Sequence, residues 1–569
     1  MILALILGPA AAGALAFVLR ADWLRRGLLV AAAMAHAGMT GYAWVHRPAP
    51  ALGGWLELDA TGLLFLSITS LLFLAAAFYG VSYLAHESHG VRKDFEENLF
   101  FSNAPEQVFT GCLLLFLATM TLVTASQHFG LLWVAVEATT LASSPLIYFH
   151  RHHRSLEATW KYLLICSVGI ALALLGNFLL AVAAGQAGRH VPIVAADLVR
   201  HATQMNVPWL KAAFLFFLVG YGTKMGLAPL HTWLPDAHSE APSAVSALLS
   251  GALLNCAFLG ILRIQQVLAA AGQGVFGQEL LLVFGLASMA VAAVFLVSQA
   301  DYKRMLAYSS VEHMGILAAG IGIGGTASFG AMLHAVNHSI AKAMLFFVAG
   351  NILAAYKTKA TGEVRGVLGV LPVSGVLWLA GFLAITGSPP FGLFLSELTI
   401  IRAAVEQGHV ATAVAFVALL AVIFVGMAGV VISMAQGTPP ETTVRPRRET
   451  VLSVGPAIVL GLLVLGMGLY VPPAVREAVQ KAAATTGLGD NSSYGHGRHG
   501  DAETRGRGEA ATTIAGAAVP HTTTTTTTAR AEARTSNMAT AIMWSRAGGR
   551  KHGYERRDHG TQATAAEGF

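Results

Sequence analysis

Apolar runs of about 20 residues, long enough to cross a hydrocarbon core of about 30 Å as helix, recur along this chain from Ile2 to Tyr470. In lipid each helical segment satisfies its own backbone hydrogen bonds, so a chain built this way has little freedom in its choice of fold. Fourteen spans are predicted, at 2–19, 27–46, 61–85, 108–125, 128–149, 157–185, 208–233, 243–270, 279–299, 305–323, 327–355, 368–405, 411–435 and 451–470. The expected fold class is an all-α polytopic membrane protein. Mean hydropathy of +0.61, with 55% hydrophobic and 12% charged residues, excludes an ordinary soluble domain.

No small-residue cleavage motif closes the first run, and further spans follow at once, so it is read as a retained helix. Loops after odd-numbered spans carry Arg20, Arg25 and Arg26, then Arg92 and Lys93, Arg151 and Arg154, Lys303 and Arg304, Lys357, Lys359 and Arg365, and Arg445, Arg447 and Arg448. The alternate loops are poorer, with Arg47, Arg189 and Arg200 as exceptions. The positive-inside rule then puts both termini outside, which suits an even number of spans.

Cys112, Cys166 and Cys256 stand singly in apolar segments, a spacing that excludes an iron–sulfur cluster or a cysteine-based zinc site on this chain. Gly320, Gly322 and Gly325 match GxGxxG, but they end a membrane helix with no strand before them, the wrong context for a nucleotide. The energy for any work this chain does must come from elsewhere.

Four ionisable residues lie inside the spans: Glu137, Lys224, Lys342 and Glu397. A charge at that depth costs several kcal/mol, and residues kept there at such a cost mark ion pathways. Two spans are also interrupted. GYGTKMGLAPLHTWLP carries Gly226, Pro229 and Pro235, and ITGSPPFGLFLSE carries Gly387, Pro389, Pro390 and Gly392. Proline removes a backbone donor and clashes with the preceding turn, so the seventh and twelfth helices should break near mid-membrane.

The broken spans are the seventh and the twelfth, an odd step of five along the chain, so the two broken helices enter the membrane in opposite directions. Paired breaks of this kind mark an inverted-repeat transporter. The predicted organisation is helices 1–3 over residues 1–107, a first five-helix repeat over 108–270 (helices 4–8), an inverted second repeat over 279–435 (helices 9–13), and helix 14 at 451–470. Kinks without function are common in membrane helices, but two breaks, each beside a buried charge, favour the transporter reading.

If their helices pack, Glu137 and Lys224 stabilise each other against desolvation, and a proton loaded nearby weakens that pairing. His334, His338 and Lys342 fall at i, i+4 and i+8 on one helix face, a stripe suited to proton relay. Structural hydrogen bonding is one rival. A metal is another, disfavoured because no Cys, Asp or Glu lies close in sequence to complete the ligands. Glu312 and His313 are further relay candidates, with an ion pair inside the bundle as the plain alternative. His231 is a further candidate, but with Asp236, His238 and Glu240 it sits at the membrane edge, where capping and solvation are cheaper explanations. Lys303 and Arg304 read equally as topogenic charges, and Lys161 as a snorkelling side chain.

The runs GYGTKMGLAPLHTWLPDAHSEAPSAVSALLSG, DYKRMLAYSSVEHMGI, HAVNHSIAKAMLFFVAGN and TGSPPFGLFLSE resemble the antiporter-like proton-translocating subunits shared by respiratory complex I, multisubunit cation/proton antiporters and membrane-bound hydrogenases. SSVEHMGI together with WVAVEATTLASSPLIYFHRHHRSLEATWKYLLICSVGIALAL is most similar to the F component of the hydrogenase-4 type. The resemblance implies fourteen helices with inverted repeats, Glu137 and Lys224 as the fifth- and seventh-helix charged pair, and Glu397 as the twelfth-helix site. Where many relatives carry Lys or His on the eighth helix, this chain has Asn255 nearest; either water bridged by Asn255 or the His334–His338 stripe makes the central connection.

On this reading the chain is a multi-pass subunit of a bacterial or archaeal inner membrane, with no redox centre, cofactor or metal of its own. [NiFe] and iron–sulfur centres are expected in peripheral hydrogenase partners, beside other membrane subunits, and no nucleic acid is involved. A Na⁺/H⁺ antiporter subunit, a complex I-type NADH:quinone oxidoreductase subunit and a pure scaffold are the alternatives. From about residue 480 to 569 the chain is rich in Gly, Arg and His, with a threonine run from Thr522 to Thr528, and is expected to be a disordered tail.

Overall fold

The computed structural model describes residues 1–87, 90–93, 100–185, 191–439 and 449–487. The first six spans are α1 (Ile2–Val18), α2 (Asp22–Val45), α3 (Ala60–His86), α4 (Glu106–Ala125), α5 (Phe129–Ile147) and α6 (His153–Ala184). A short helix, α7 (Ala195–His201), precedes the seventh span, which is split into α8 (Val207–Met225) and α9 (Trp233–Glu240). The eighth runs as α10 (Ser243–Leu248), a π-helical turn at Leu249–Leu253 and α11 (Leu254–Ala270). Then come α12 (Gly274–Leu296), α13 (Tyr302–Ile323) and α14 (Thr326–Tyr356).

The twelfth span begins with one turn, α15 (Val367–Val370), and divides into α16 (Pro372–Ile385) and α17 (Gly392–Glu406). α18 (Val410–Ala435), α19 (Val451–Leu469) and α20 (Pro473–Ala484) complete the helices. A two-residue antiparallel pair, β1 (Arg92–Lys93) with β2 (Phe100–Phe101), is the one sheet among the described residues. Among the described residues, eleven helices are long and apolar enough to cross a membrane. The 17-residue α1 and the two divided spans account for the other three of the fourteen.

The eighth span and α13 are buried on all sides, whereas α2, α18 and α19 keep most of their surface outward. That outward surface is apolar, with Val414, Val425, Val451 and Leu462 exposed, as suits helices against hydrocarbon. α12 and α13 approach closely enough that a Cβ on Gly285 would lie 2.6 Å from the Ala319 nitrogen, and one on Gly322 2.6 Å from the Leu282 nitrogen. The GxGxxG pattern thus serves helix apposition and the turn into α14.

The two breaks repeat one another bond for bond. α8 stops at Gly226 in the left-handed region (φ 86°), where the Gly226 amide donates to Thr223 O and the Leu227 amide to Gly222 O. α16 stops at Gly387 (φ 61°), where the Gly387 amide donates to Ala384 O and the Ser388 amide to Leu383 O. This is the Schellman arrangement, in which glycine adopts the reversed backbone without steric cost and the last carbonyls are satisfied. Ala228-Pro229 and Pro389-Pro390 are both cis. Counting from the two glycines, Lys224 and Ile385 each lie two residues before, and Asp236 and Glu397 each lie ten after.

A helix reaches into the stretch expected to be a tail. α20 occupies Pro473–Ala484 and buries Ala478, Val479, Ala482 and Ala483, packing against α3 and α14. A short amphipathic helix started by proline has too little apolar surface to register as a span. The remainder of the expected tail, residues 488–569 with the threonine run, lies outside the described residues, as do Arg189, Arg445, Arg447 and Arg448.

Candidate functional site

The first cluster forms where α5, α6 and α8 meet. Lys224 is fully buried in the last turn of α8, where the carbonyl end of the helix dipole favours a cation. Its ammonium donates to Thr140 Oγ1 at 2.8 Å and to Tyr162 OH at 2.7 Å, and lies 4.4 Å from the Tyr162 ring centroid. Half-buried Glu137 accepts from Ser167 Oγ at 2.7 Å and from Thr140 Oγ1 at 3.3 Å. The carboxylate and ammonium therefore meet through one hydroxyl rather than in the direct pair that the sequence suggested. Thr140 accepts from the cation and donates to the anion, as a single hydroxyl can.

At the centre, the π turn re-aims the eighth span. π turns of this kind are frequent at functional sites. Ser250 on the turn shares a 2.8 Å hydrogen bond with Ser310 of α13, and Asn255 donates to Gly251 O at 2.9 Å and to Ser339 Oγ of α14 at 2.8 Å. α11 packs against α8, so the first cluster and the centre adjoin through packing; among the described residues no hydrogen bond joins Lys224 to Asn255.

α14 is the spine of the second cluster. Lys342 donates to Leu306 O at 2.6 Å and to Ser309 Oγ at 2.8 Å, both on α13. His338 and His334 follow toward the N-terminus with rings 6.4 Å apart and nearly parallel. His313 joins them from α13: its Nδ1 is 2.9 Å from His334 Nε2, and its ring centroid is 4.9 Å from that of His338. His334 Nδ1 lies 3.0 Å from Ser396 Oγ, which itself donates to Leu393 O. Asn337 donates to Gly392 O and so fixes the start of α17.

Glu397, one residue past Ser396, is carried into this cluster. His313, His334 and Glu397 each offer a ligand atom within 4.8 Å of the others. The sequence argument against a metal rested on the lack of an acidic residue near the histidines in the chain. The fold brings that residue, and a further histidine, from two other helices.

Glu312 Oε1 and Oε2, both ring nitrogens of His338, His313 Nε2, Glu397 Oε1 and Asn255 Oδ1 are buried with no hydrogen-bond partner among the described protein groups. Leaving such a group unsatisfied costs about 1–3 kcal/mol, and internal water is its usual partner. These atoms extend from the centre to the twelfth-span break and form a polar stretch inside the bundle.

The remaining candidates belong to one rim. Lys303 is buried and donates to Ser239 O at 2.8 Å and Ala241 O at 2.6 Å. Lys359 pairs with Glu240 at 2.6 Å, and Asp236 holds Lys161 at 3.0 Å and Arg304 at 2.5 Å. Capping and solvation thus give way to ion pairing at Asp236 and Glu240. His231 is edge-on to Tyr308 at 6.3 Å in the seventh-span break. A cavity of about 160 Å³ opens here, lined by His150, His152, Arg154, Glu240, Lys303 and Lys359.

Sequence reasoning missed Thr140, Ser167, Tyr162 and Ser396, the neutral groups that hold the titratable ones, and Asn337, which holds the start of α17. Thr140 was within reach, since it lies three residues after Glu137 and so shares its helix face. Ser167 and Tyr162 reach the first cluster from α6, and Ser396 and Asn337 bond between α14 and α17, contacts across helices that leave no local signal.

Residues 126–423 match the family described as NADH:quinone oxidoreductase/Mrp antiporter, TM. Over 433 residues the chain is 35% identical to the Hydrogenase-4 component F homolog of Methylacidiphilum infernorum, covering 75% of this chain and 88% of that protein. It is 29% identical to Hydrogenase-4 component B of Escherichia coli K12, over 64% of this chain and 52% of that one, about half its length. Among solved structures, a chain of the Mrp complex from Dietzia sp. DQ12-45-1b superposes with a TM-score of 0.73 at 22% identity, over 86% of this chain and 98% of that chain.

Proposed function

Because the chain belongs to the NADH:quinone oxidoreductase/Mrp antiporter membrane-subunit family, we propose that it moves protons across the membrane as a subunit of a hydrogenase-4-like complex. The observation that carries this reading is the Glu137–Thr140–Lys224 unit at the end of a broken helix. A buried ammonium held by two neutral oxygens, with a carboxylate one hydroxyl away, is poised between pairing and release. Protonating Glu137 removes the nearest negative charge and lowers the cost of Lys224 giving up its proton.

The rest of the route follows the polar centre: Asn255, Glu312, Lys342, the three histidines and Glu397. The rim cavity beside Lys303 and Glu240 is the way in from the cytoplasmic side, which the basic loops mark. The two five-helix repeats, over 108–270 and 279–435, each supply one half of the route, and both termini are outside. Electron transfer in peripheral [NiFe] and iron–sulfur partner subunits supplies the energy. Similarity to the Hydrogenase-4 component F homolog over 88% of its length supports this choice of complex.

Replacing Lys224 or Glu137 with an apolar residue should abolish redox-driven proton movement in vesicles while leaving the complex assembled. Unchanged movement in an intact complex removes both residues from the mechanism. The likeness to an Mrp complex chain favours a second reading, a Na⁺/H⁺ antiporter subunit. Sodium-dependent transport with no redox partner in the purified assembly would select it.

A further inference from the structure

We infer that His313, His334 and Glu397 form a binding site for a divalent transition-metal cation of the zinc class, set between α13, α14 and α17. Two imidazoles and a carboxylate are a donor set such cations take, and all three side chains are buried. Three atoms no more than 4.8 Å apart lie within about 2.8 Å of a common centre. Coordination at about 2.0–2.1 Å therefore asks each donor to move inward by at most about 0.7 Å. Side-chain torsions supply that without a shift of backbone.

The hydrogen-bond network has already chosen the donor atoms. Ser396 Oγ donates to Leu393 O, so it accepts from His334 Nδ1, which leaves His334 Nε2 as a lone pair facing His313. A ligating histidine is normally oriented by a hydrogen bond from its other nitrogen, and Ser396 supplies that bond here. His313 Nδ1 and His334 Nε2 share one proton across 2.9 Å, and the cation takes its place as His313 carries its proton on Nε2 instead, an atom with no protein partner. Glu397 brings the negative charge, and its Oε1 has no protein partner. His338, with both ring nitrogens free of protein partners, lies just outside this group, its ring 4.9 Å from that of His313.

The binding stands on this geometry alone. A consequence that rests on the proposed function is that an occupied site halts proton movement, since the cation displaces the shared proton and occupies the carboxylate of the second half-route.

The test uses the intact purified complex, stripped with chelator, re-equilibrated with Zn²⁺ and desalted. Zinc content and zinc-edge X-ray absorption are then compared between wild type, His334→Ala and Glu397→Gln. One additional zinc per wild-type chain is expected, with imidazole scattering and N/O neighbours at about 2.0–2.1 Å, and each variant should lose that equivalent. Wild-type zinc without imidazole scattering overturns the site whatever the variants do, as does equal zinc in variants that remain assembled. Zinc that binds in this way but leaves proton movement unaltered refutes the transport role of these residues and keeps the metal site.

Discussion

Thr140→Val tests the hydroxyl between the two charges of the first cluster. Valine keeps the shape of threonine but removes the oxygen that accepts from Lys224 at 2.8 Å and donates to Glu137 at 3.3 Å. The second contact is long and contributes little. The first is charge-assisted, and such bonds contribute about 1.5–3 kcal/mol. Tyr162 remains as the other acceptor of Lys224, so the loss is one bond of two. At about 1.4 kcal/mol per tenfold, the charged form of Lys224 becomes about 10- to 150-fold less favoured against the neutral form. Proton movement that depends on Lys224 holding and then releasing its proton should slow by at least about tenfold. Thr140→Ser, which restores the oxygen, should recover most of the rate. The measurement is quenching of a pH-sensitive dye in inverted vesicles carrying the assembled complex, normalised to electron-transfer activity. Wild-type rates in Thr140→Val, with assembly intact, would show that the hydroxyl connects nothing that matters to transport.

Two further outcomes follow from the same structure. Gly387→Ala places a Cβ 1.9 Å from Glu397 Oε2 at φ 61°, whereas Gly408→Ala meets nothing within 4 Å at φ 82°. Both carry the left-handed backbone cost of about 1–2 kcal/mol, so thermal stability should fall similarly while only Gly387→Ala displaces the carboxylate and stops proton movement in vesicles. Lys303→Met leaves the Ser239 and Ala241 carbonyls without their buried donor; at about 1–3 kcal/mol per unsatisfied group, the melting temperature of the purified complex should drop by several degrees, and an unchanged melt would deny Lys303 its structural part.

The spans and both breaks were legible because their causes are local. Hydropathy is a sum over neighbours in sequence, and Gly226, Pro229, Gly387 and Pro390 act on the turn they occupy. The stripe of His334, His338 and Lys342 was legible for the same reason, since helical spacing alone puts them on one face. The meeting of His313, His334 and Glu397 was not, because it depends on how α13, α14 and α17 pack. Spacing placed Thr140 beside Glu137 but not its link to Lys224 on another helix, and hydroxyls in apolar helices commonly bond their own backbone, as Thr139 does with Val136 O. The π turn at Leu249–Leu253 has no sequence mark of its own.

The matching turns at Gly226 and Gly387 bear on where directionality originates. Their helices run in opposite senses, so a device made only of the two would work equally well in forward and reverse. What tells its ends apart is side-chain identity: an amine at Lys224 answers a hydrocarbon at Ile385, and rim-bound Asp236 answers interior Glu397. Exchanging those occupants, rather than rebuilding the backbone, is how evolution or an engineer would reverse or neutralise the bias.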